Sequence, residues 1–115
     1  MDIQRIRSNR RMSQAVVHGN TVYLAGQVAD DTSADVRSQA KQVLQKIDAL
    51  LAEAGSDKKR ILSANIWLAN MADFAAMNVE WEAWMPENCA PARATVQSAM
   101  VTEAHRIEIA VIAAK

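Results

Sequence analysis

The chain has 115 residues, 50% of them hydrophobic and 23% charged, which allows one domain, residues 1–115, with enough apolar material for a packed core and too little length for a second. Thirteen Lys and Arg balance thirteen Asp and Glu, so no long-range field gathers phosphates or anionic lipid, and neither nucleic acid nor a membrane surface is an expected partner. A lone cysteine, Cys89, cannot close an intramolecular disulfide, and with two histidines it cannot complete a four-ligand zinc site, so no metal is expected. The N-terminus lacks the apolar run of a secretory signal, and the longest apolar run, Ile109 to Ala114, is far short of the 18 or so residues that cross a bilayer; a cytoplasmic location is expected. A chain of this size buries only about two-thirds of the surface its unfolded form exposes, so an uncovered apolar face favours self-association.

The first feature along the chain is a basic cluster, Arg5, Arg7, Arg10 and Arg11, interrupted by Ile6 and Met12. It reads as a phosphate-binding arm or, more simply, as the solvated decoration of an edge strand. Residues 13 to 29 read as a hairpin, because Val16 and Val17 precede Gly19-Asn20 and Val22, Tyr23 and Leu24 follow it. Val36, Ala40, Val43, Leu44, Ile47, Leu51 and Ala54 recur at three- and four-residue spacing and predict a helix with one apolar stripe. Thr32 with Asp35 would cap its start, and Gly55 would take the left-handed position after its end.

Residues 60 to 69 carry Ile and Trp without helical spacing and predict a largely buried strand. A second helix follows, with Asn70 and Asp73 as a cap pair, Phe74, Met77, Trp81 and Trp84 lining one core face, and Pro86 stopping it. Ala92 to Gln97 and His105 to Ile112 predict two further strands; in the last, Glu108 points away from Ile107, Ile109 and Val111. The order is β-β-β-α-β-α-β-β. Two helices cover only one face of a five- or six-stranded mixed sheet, so the expected fold is α+β with helices on one face and subunits packed on the other.

There is no Gly-rich phosphate loop, Gly-x-Ser-x-Gly elbow, His-Glu-x-x-His or Cys-x-x-Cys, so any chemistry rests on isolated polar residues. Arg93, between Ala92 and Ala94 in a strand, could present its planar fork to the carboxylate of a small metabolite, or could serve a salt bridge, with Glu108 among its candidate partners. Glu108, inside the most apolar strand, could orient or deprotonate a water, or pair with Arg106 or Arg93. Cys89 has no histidine predictably near to activate it and reads as an ordinary thiol, and His18 and His105 sit at strand margins where surface histidines are common.

These residues carry a resemblance that runs through nearly the whole chain in order. Ser13-Gln14-Ala15-Val16-Val17-His18-Gly19-Asn20-Thr21-Val22-Tyr23-Leu24-Ala25-Gly26-Gln27, Leu51-Ala52-Glu53-Ala54-Gly55 and Asp73-Phe74-Ala75-Ala76-Met77-Asn78 are followed by Pro91-Ala92-Arg93-Ala94-Thr95-Val96 and Ile107-Glu108-Ile109-Ala110-Val111-Ile112-Ala113. The sequence resembles the Rid family, the reactive intermediate deaminases of the YjgF type. The resemblance implies a chorismate-mutase-like fold and a homotrimer whose sheets form an inner barrel with three clefts between neighbouring subunits. It also implies hydrolysis of reactive enamine or imino acids, such as 2-aminoacrylate, to 2-keto acids and ammonia, without metal or cofactor.

Carried over by position, Arg93 matches the arginine that binds the substrate carboxylate, Glu108 the acid that positions the attacking water, and Gly26 the glycine whose backbone lines the cleft. Asn78 matches a frequent asparagine of the second helix, for which a structural role is expected. Two positions depart: Met12 or Ser13 stands where many members carry a cleft tyrosine, and Thr95 stands where some carry cysteine, so Met12 and Thr95 are candidate substrate contacts that redirect specificity. The altered cleft leaves open a second class, a non-catalytic trimeric binding or regulatory module for small carboxylates. A ribonuclease or chaperone-like role, as proposed for some relatives, gains little from a neutral chain.

Overall fold

The structure, a computed structural model, describes all 115 residues. Strands β1 (Ile3–Ser8), β2 (Ser13–His18) and β3 (Thr21–Leu24) precede helix α1 (Val36–Glu53), β4 (Ile61–Leu68), helix α2 (Phe74–Trp84), β5 (Ala92–Gln97) and β6 (Ile107–Ala114), the element order expected from the sequence. The six strands form one sheet in the order β1-β2-β3-β6-β4-β5. Only β4 and β5 run parallel as neighbours, joined by the crossover through α2; β6 inserts antiparallel between β3 and β4, the split β-α-β arrangement.

Local chemistry sets the joints. Gly19 has φ 60 and His18 pairs with Thr21, so Gly19-Asn20 is a two-residue hairpin with glycine at the first central position of a type II′ turn. All seven stripe residues expected of α1 are buried. At its end, Ser56 N–H donates to Leu51 O at 2.8 Å and Gly55 N–H, at φ 83, to Ala52 O at 3.1 Å, which is the Schellman pattern. Its start is capped by Asp35 alone, whose Oδ1 accepts from Ser38 N–H at 2.9 Å; Thr32 stands three residues before that cap and makes no capping bond. Asn70 caps a short 3-10 turn, Met71–Asp73, rather than α2, and the Asp73 carboxylate is drawn to Arg106 at 2.8 Å instead of to the helix N–H groups.

That Ser38 N–H bond holds the Asp35 carboxyl below the usual carboxylate range. A lowered folded value means that the contribution to stability is complete above about pH 4, the ordinary aspartate value, and is lost as pH falls through the lowered one. Asp35→Asn should therefore preserve the thermal midpoint at pH 7 while flattening its decline below pH 4, and Asp35→Ala should lower it at both, as thermal melts across pH 2.5 to 7 would read.

Twenty-one buried residues fill the space between both helices and one sheet face. Gln39 is fully buried and satisfied: its amide donates to Ala34 O and Ala104 O and accepts from Arg106 N–H, stapling α1 to the start of β6. Glu80 on α2 is buried against Arg37 on α1 at 2.9 Å, tying the helices together. The other sheet face has no helix, and there Tyr23 is 45% exposed beside Ile112. The β1 edge is largely exposed, so Arg5 and Arg7 decorate a solvated strand, with Arg7 paired to Glu53 of α1, while Arg10 and Arg11 lie exposed in the turn that follows. No helix is long and apolar enough to cross a membrane.

Candidate functional site

The candidate residues fall on two faces of the sheet. In β5, Arg93 pairs in register with Ala64 and Thr95 with Ile66, both core residues, and cross-strand partners share a face. Arg93 and Thr95 therefore point to the helix side. In β6, Glu108 alternates with buried Ile107 and Ile109 and pairs with Trp67, so it points to the uncovered side.

On the helix side, the Arg93 guanidinium lies 5.4 Å from the ring centre of Trp81 and 5.9 Å from that of Phe74, both on α2. No ion pair of the chain includes it. Its charge rests on two aromatic faces, which leaves the N–H fork free for a carboxylate. Thr95, two residues on along the same face, has a buried hydroxyl without a hydrogen-bond partner, a polar atom that calls for a ligand or a water.

The expectation that Phe74, Met77, Trp81 and Trp84 form one core face holds for Met77 and Trp81, and Trp84 packs against the core. It fails for Phe74, which is 37% exposed and flanks the arginine. Asn78 lies four residues after Phe74 and three before Trp81, hence on the same stripe of α2.

On the uncovered side, Gly26 and Glu108 form the second group. Gln27 bridges Ile109 through paired backbone bonds of 2.8 and 3.1 Å, which brings Gly26 alongside Glu108. A methyl group at Gly26 would collide with the Glu108 carboxylate, so the missing Cβ leaves the acid its present place, and a side chain there would push it aside. Glu108 makes no ion pair with Arg93 or Arg106; the latter is taken by Asp73.

These two groups do not meet within one protomer. Glu108 is level with Val96, through Trp67, in a strand two positions from β5; strand spacings and residue rise put its Cα roughly 14 Å from that of Arg93. The salt-bridge reading open from sequence thereby loses its intrachain form with Glu108 as the partner. Met12 does not join the Arg93 group: it sits in the β1–β2 turn, where its N–H donates to Asn9 Oδ1 and its carbonyl accepts from Asn9 N–H, and β2 is four strand spacings from β5, about 19 Å.

The largest concavity of a single protomer, about 470 Å³, lies between the end of β5 and the following loop, lined by Gln97, Ser98, Thr102, Glu103 and His105, and contains none of the candidates. Within it His105 Nδ1 is 2.7 Å from Thr102 Oγ1. No group of three or more His, Cys, Asp or Glu side chains is placed to hold a metal ion. Cys89 is a free thiol in the α2–β5 loop.

The aromatic support of Arg93 is the part of this geometry that sequence reasoning missed. A signal was present: the helix of a β4-α2-β5 crossover must pack over its own strands, so an arginine on the inward face of β5 meets the inward stripe of α2.

Comparison with known proteins follows the same outline. Residues 2–115 match the family described as Endoribonuclease L-PSP. The RutC family protein YoaB of Escherichia coli is 43% identical over 114 residues, covering 99% of either chain. The rat protein named 2-iminobutanoate/2-iminopropanoate deaminase is 35% identical over 107 residues, covering 88% of this chain and 77% of that one. A solved member of the YjgF family from Neisseria meningitidis superposes with a TM-score of 0.95 at 38% identity, covering 100% of this chain and 96% of the other.

Proposed function

The chain belongs to the L-PSP endoribonuclease family, which takes in the YjgF-type Rid proteins, and from that premise we propose that it hydrolyses reactive 2-imino acids, the tautomers of 2-enamines such as 2-aminoacrylate, to 2-keto acids and ammonia. The observation that carries the reading is an arginine held on aromatic faces with its N–H fork unspent. Such a group suits a small carboxylate ligand and has no partner within its own chain. The rat relative's name supplies the reaction class.

The reaction takes place between subunits of a homotrimer, at clefts where the Arg93 group of one protomer faces the Gly26–Glu108 group of its neighbour. Separation of the two groups onto opposite sheet faces supports this reading, because a protomer holding both halves on different faces completes a site only by meeting another copy. An uncovered sheet face supports it too.

The carboxylate of the imino acid docks on Arg93 by two parallel charge-assisted hydrogen bonds, with the Thr95 hydroxyl beside it. This fixes the electrophilic C2 against a water held by Glu108. Glu108 takes a proton as the water oxygen bonds to C2 and the C=N π pair moves to nitrogen, and returns that proton to the nitrogen to give a neutral carbinolamine. Glu108 then takes the hydroxyl proton and delivers it to nitrogen as the C–N bond breaks, so that the C=O bond forms and ammonia leaves with the carboxylate regenerated. Positioning converts an encounter with bulk water into a step within one complex, and general acid–base help contributes roughly 100- to 10,000-fold. No metal or cofactor has a step to perform. Met12, in place of the cleft tyrosine of many relatives, removes a hydroxyl from the substrate wall and favours apolar side chains.

The test is the decay of imino acids generated in situ by an amino-acid oxidase and trapped with semicarbazide, across several side chains. Accelerated loss of the imine with matching keto-acid release is the expected result. Saturable keto-acid binding without acceleration for any imine would replace the reading with the binding module, which the missing tyrosine favours, and cleavage of RNA by the pure protein would favour the activity in the family's description.

A further inference from the structure

We infer that Trp81 is a positioning residue for the carboxylate anchor: its ring face sets the direction of the Arg93 guanidinium and so the affinity of the cleft for 2-keto and 2-imino acids. The inference rests on the proposed role of Arg93 and adds to it a residue that touches no substrate. Trp81 is 6% exposed, and burial alone accounts for an apolar residue at this position. It does not account for the cation lying 5.4 Å from the ring centre. An arginine at a sheet edge is ordinarily steered by a carboxylate, which would occupy the N–H groups that a substrate needs; a ring face attracts the charge and leaves the fork in place for the ligand.

The ring is itself fixed. Trp84 packs on Trp81 at 5.5 Å between centroids, tilted by 55°, and Trp84 Nε1–H donates to Asp48 Oδ2 on α1 at 3.0 Å. A relay of Asp48, Trp84 and Trp81 therefore ties the anchor to the main helix. Phe74, at 5.9 Å and partly exposed, borders the mouth of the site, and Trp81 supplies the floor.

The test compares Trp81→Tyr, Trp81→Phe and Trp81→Leu with wild type by calorimetric titration of 2-oxobutanoate and by imine hydrolysis, after thermal melts and light scattering have confirmed folding and assembly. Ring quadrupoles make the expected order wild type, then Tyr and Phe within about threefold, then Leu weakened roughly tenfold in both Kd and KM, with kcat little changed. A change of core packing would instead lower the melting midpoint without that grading. Indole emission should also shift when 2-oxobutanoate binds, and Trp81→Phe and Arg93→Ala should both abolish the shift. Should Trp81→Leu fail to fold, the Tyr and Phe variants and the emission change carry the decision.

Trp81→Leu binding 2-oxobutanoate as tightly as wild type, Phe losing as much as Leu, or no keto-acid binding by wild type would each overturn the inference. Graded keto-acid binding without imine turnover would remove the deaminase reading and leave Trp81 in its role. Turnover with a KM insensitive to position 81 would do the reverse.

Discussion

Arg93→Ala is expected to remove imine hydrolysis and keto-acid binding while leaving the assembled protein folded. Truncating one side of a hydrogen-bonded charge pair at a desolvated site costs about 2 to 5 kcal/mol, or roughly 30- to 4,000-fold in kcat/KM. The fold should tolerate the loss: Arg93 lies on the edge strand β5, is only half-buried, and leaves no unpaired carboxylate behind because no ion pair includes it. Trp81 and Phe74 lose a cation and gain a small cavity open to solvent. Arg93→Lys separates charge from geometry; a lysine offers a point charge without the planar fork, so it should recover part of the binding and little of the rate. Circular dichroism and light scattering establish the folded state, and semicarbazide trapping reads the rate. Wild-type turnover in a folded Arg93→Ala protein would remove Arg93 from the site.

The fold was legible where apolar periodicity spoke and where glycine or proline punctuated it. The α1 stripe from Val36 to Ala54, the Gly19-Asn20 turn and the Ile107–Val111 alternation each carry their structure in local spacing, and the order of eight elements follows from them. Cap assignments were less legible, since Thr32 and Asp35 offer the same oxygen chemistry and only the path of the chain selects Asp35. Gln39 could not be read as buried, because its satisfaction depends on a carbonyl 65 residues away and an N–H group 67 away.

For the site, Arg93 and Glu108 stood out as charges in apolar strands, and alternation alone placed Glu108 opposite its isoleucine neighbours. That Arg93 takes the other face depends on the register of β5 against β4, a long-range fact with no local signature. Phe74 misled because an aromatic at helical spacing is usually core, and here its edge position exposes it.

Division of the site between two subunits makes a prediction that no single-chain site can meet. Glu108→Gln keeps the volume and removes the base, so kcat should fall about 100- to 10,000-fold with keto-acid binding preserved. Mixed with Arg93→Ala and allowed to exchange subunits by co-refolding, the two inactive proteins should regain activity. In a closed ring of head-to-tail contacts each cleft takes its arginine from one subunit and its glutamate from the next. Random one-to-one assembly then gives an intact pair at about a quarter of the clefts, whatever the ring size. The doubly substituted protein, Arg93→Ala with Glu108→Gln, sharpens the test: diluted one-to-one into wild type it should leave about a quarter of the total clefts active, against a half if each site belonged to one chain. Gly26→Ala belongs in the same scheme. Its added methyl meets the Glu108 carboxylate, so it should behave as a Glu108 variant, complementing Arg93→Ala and failing to complement Glu108→Gln. No recovery in any mixture, with subunit exchange verified by mass spectrometry, would place both residues outside a shared cleft and return the uncovered sheet face to a purely structural role.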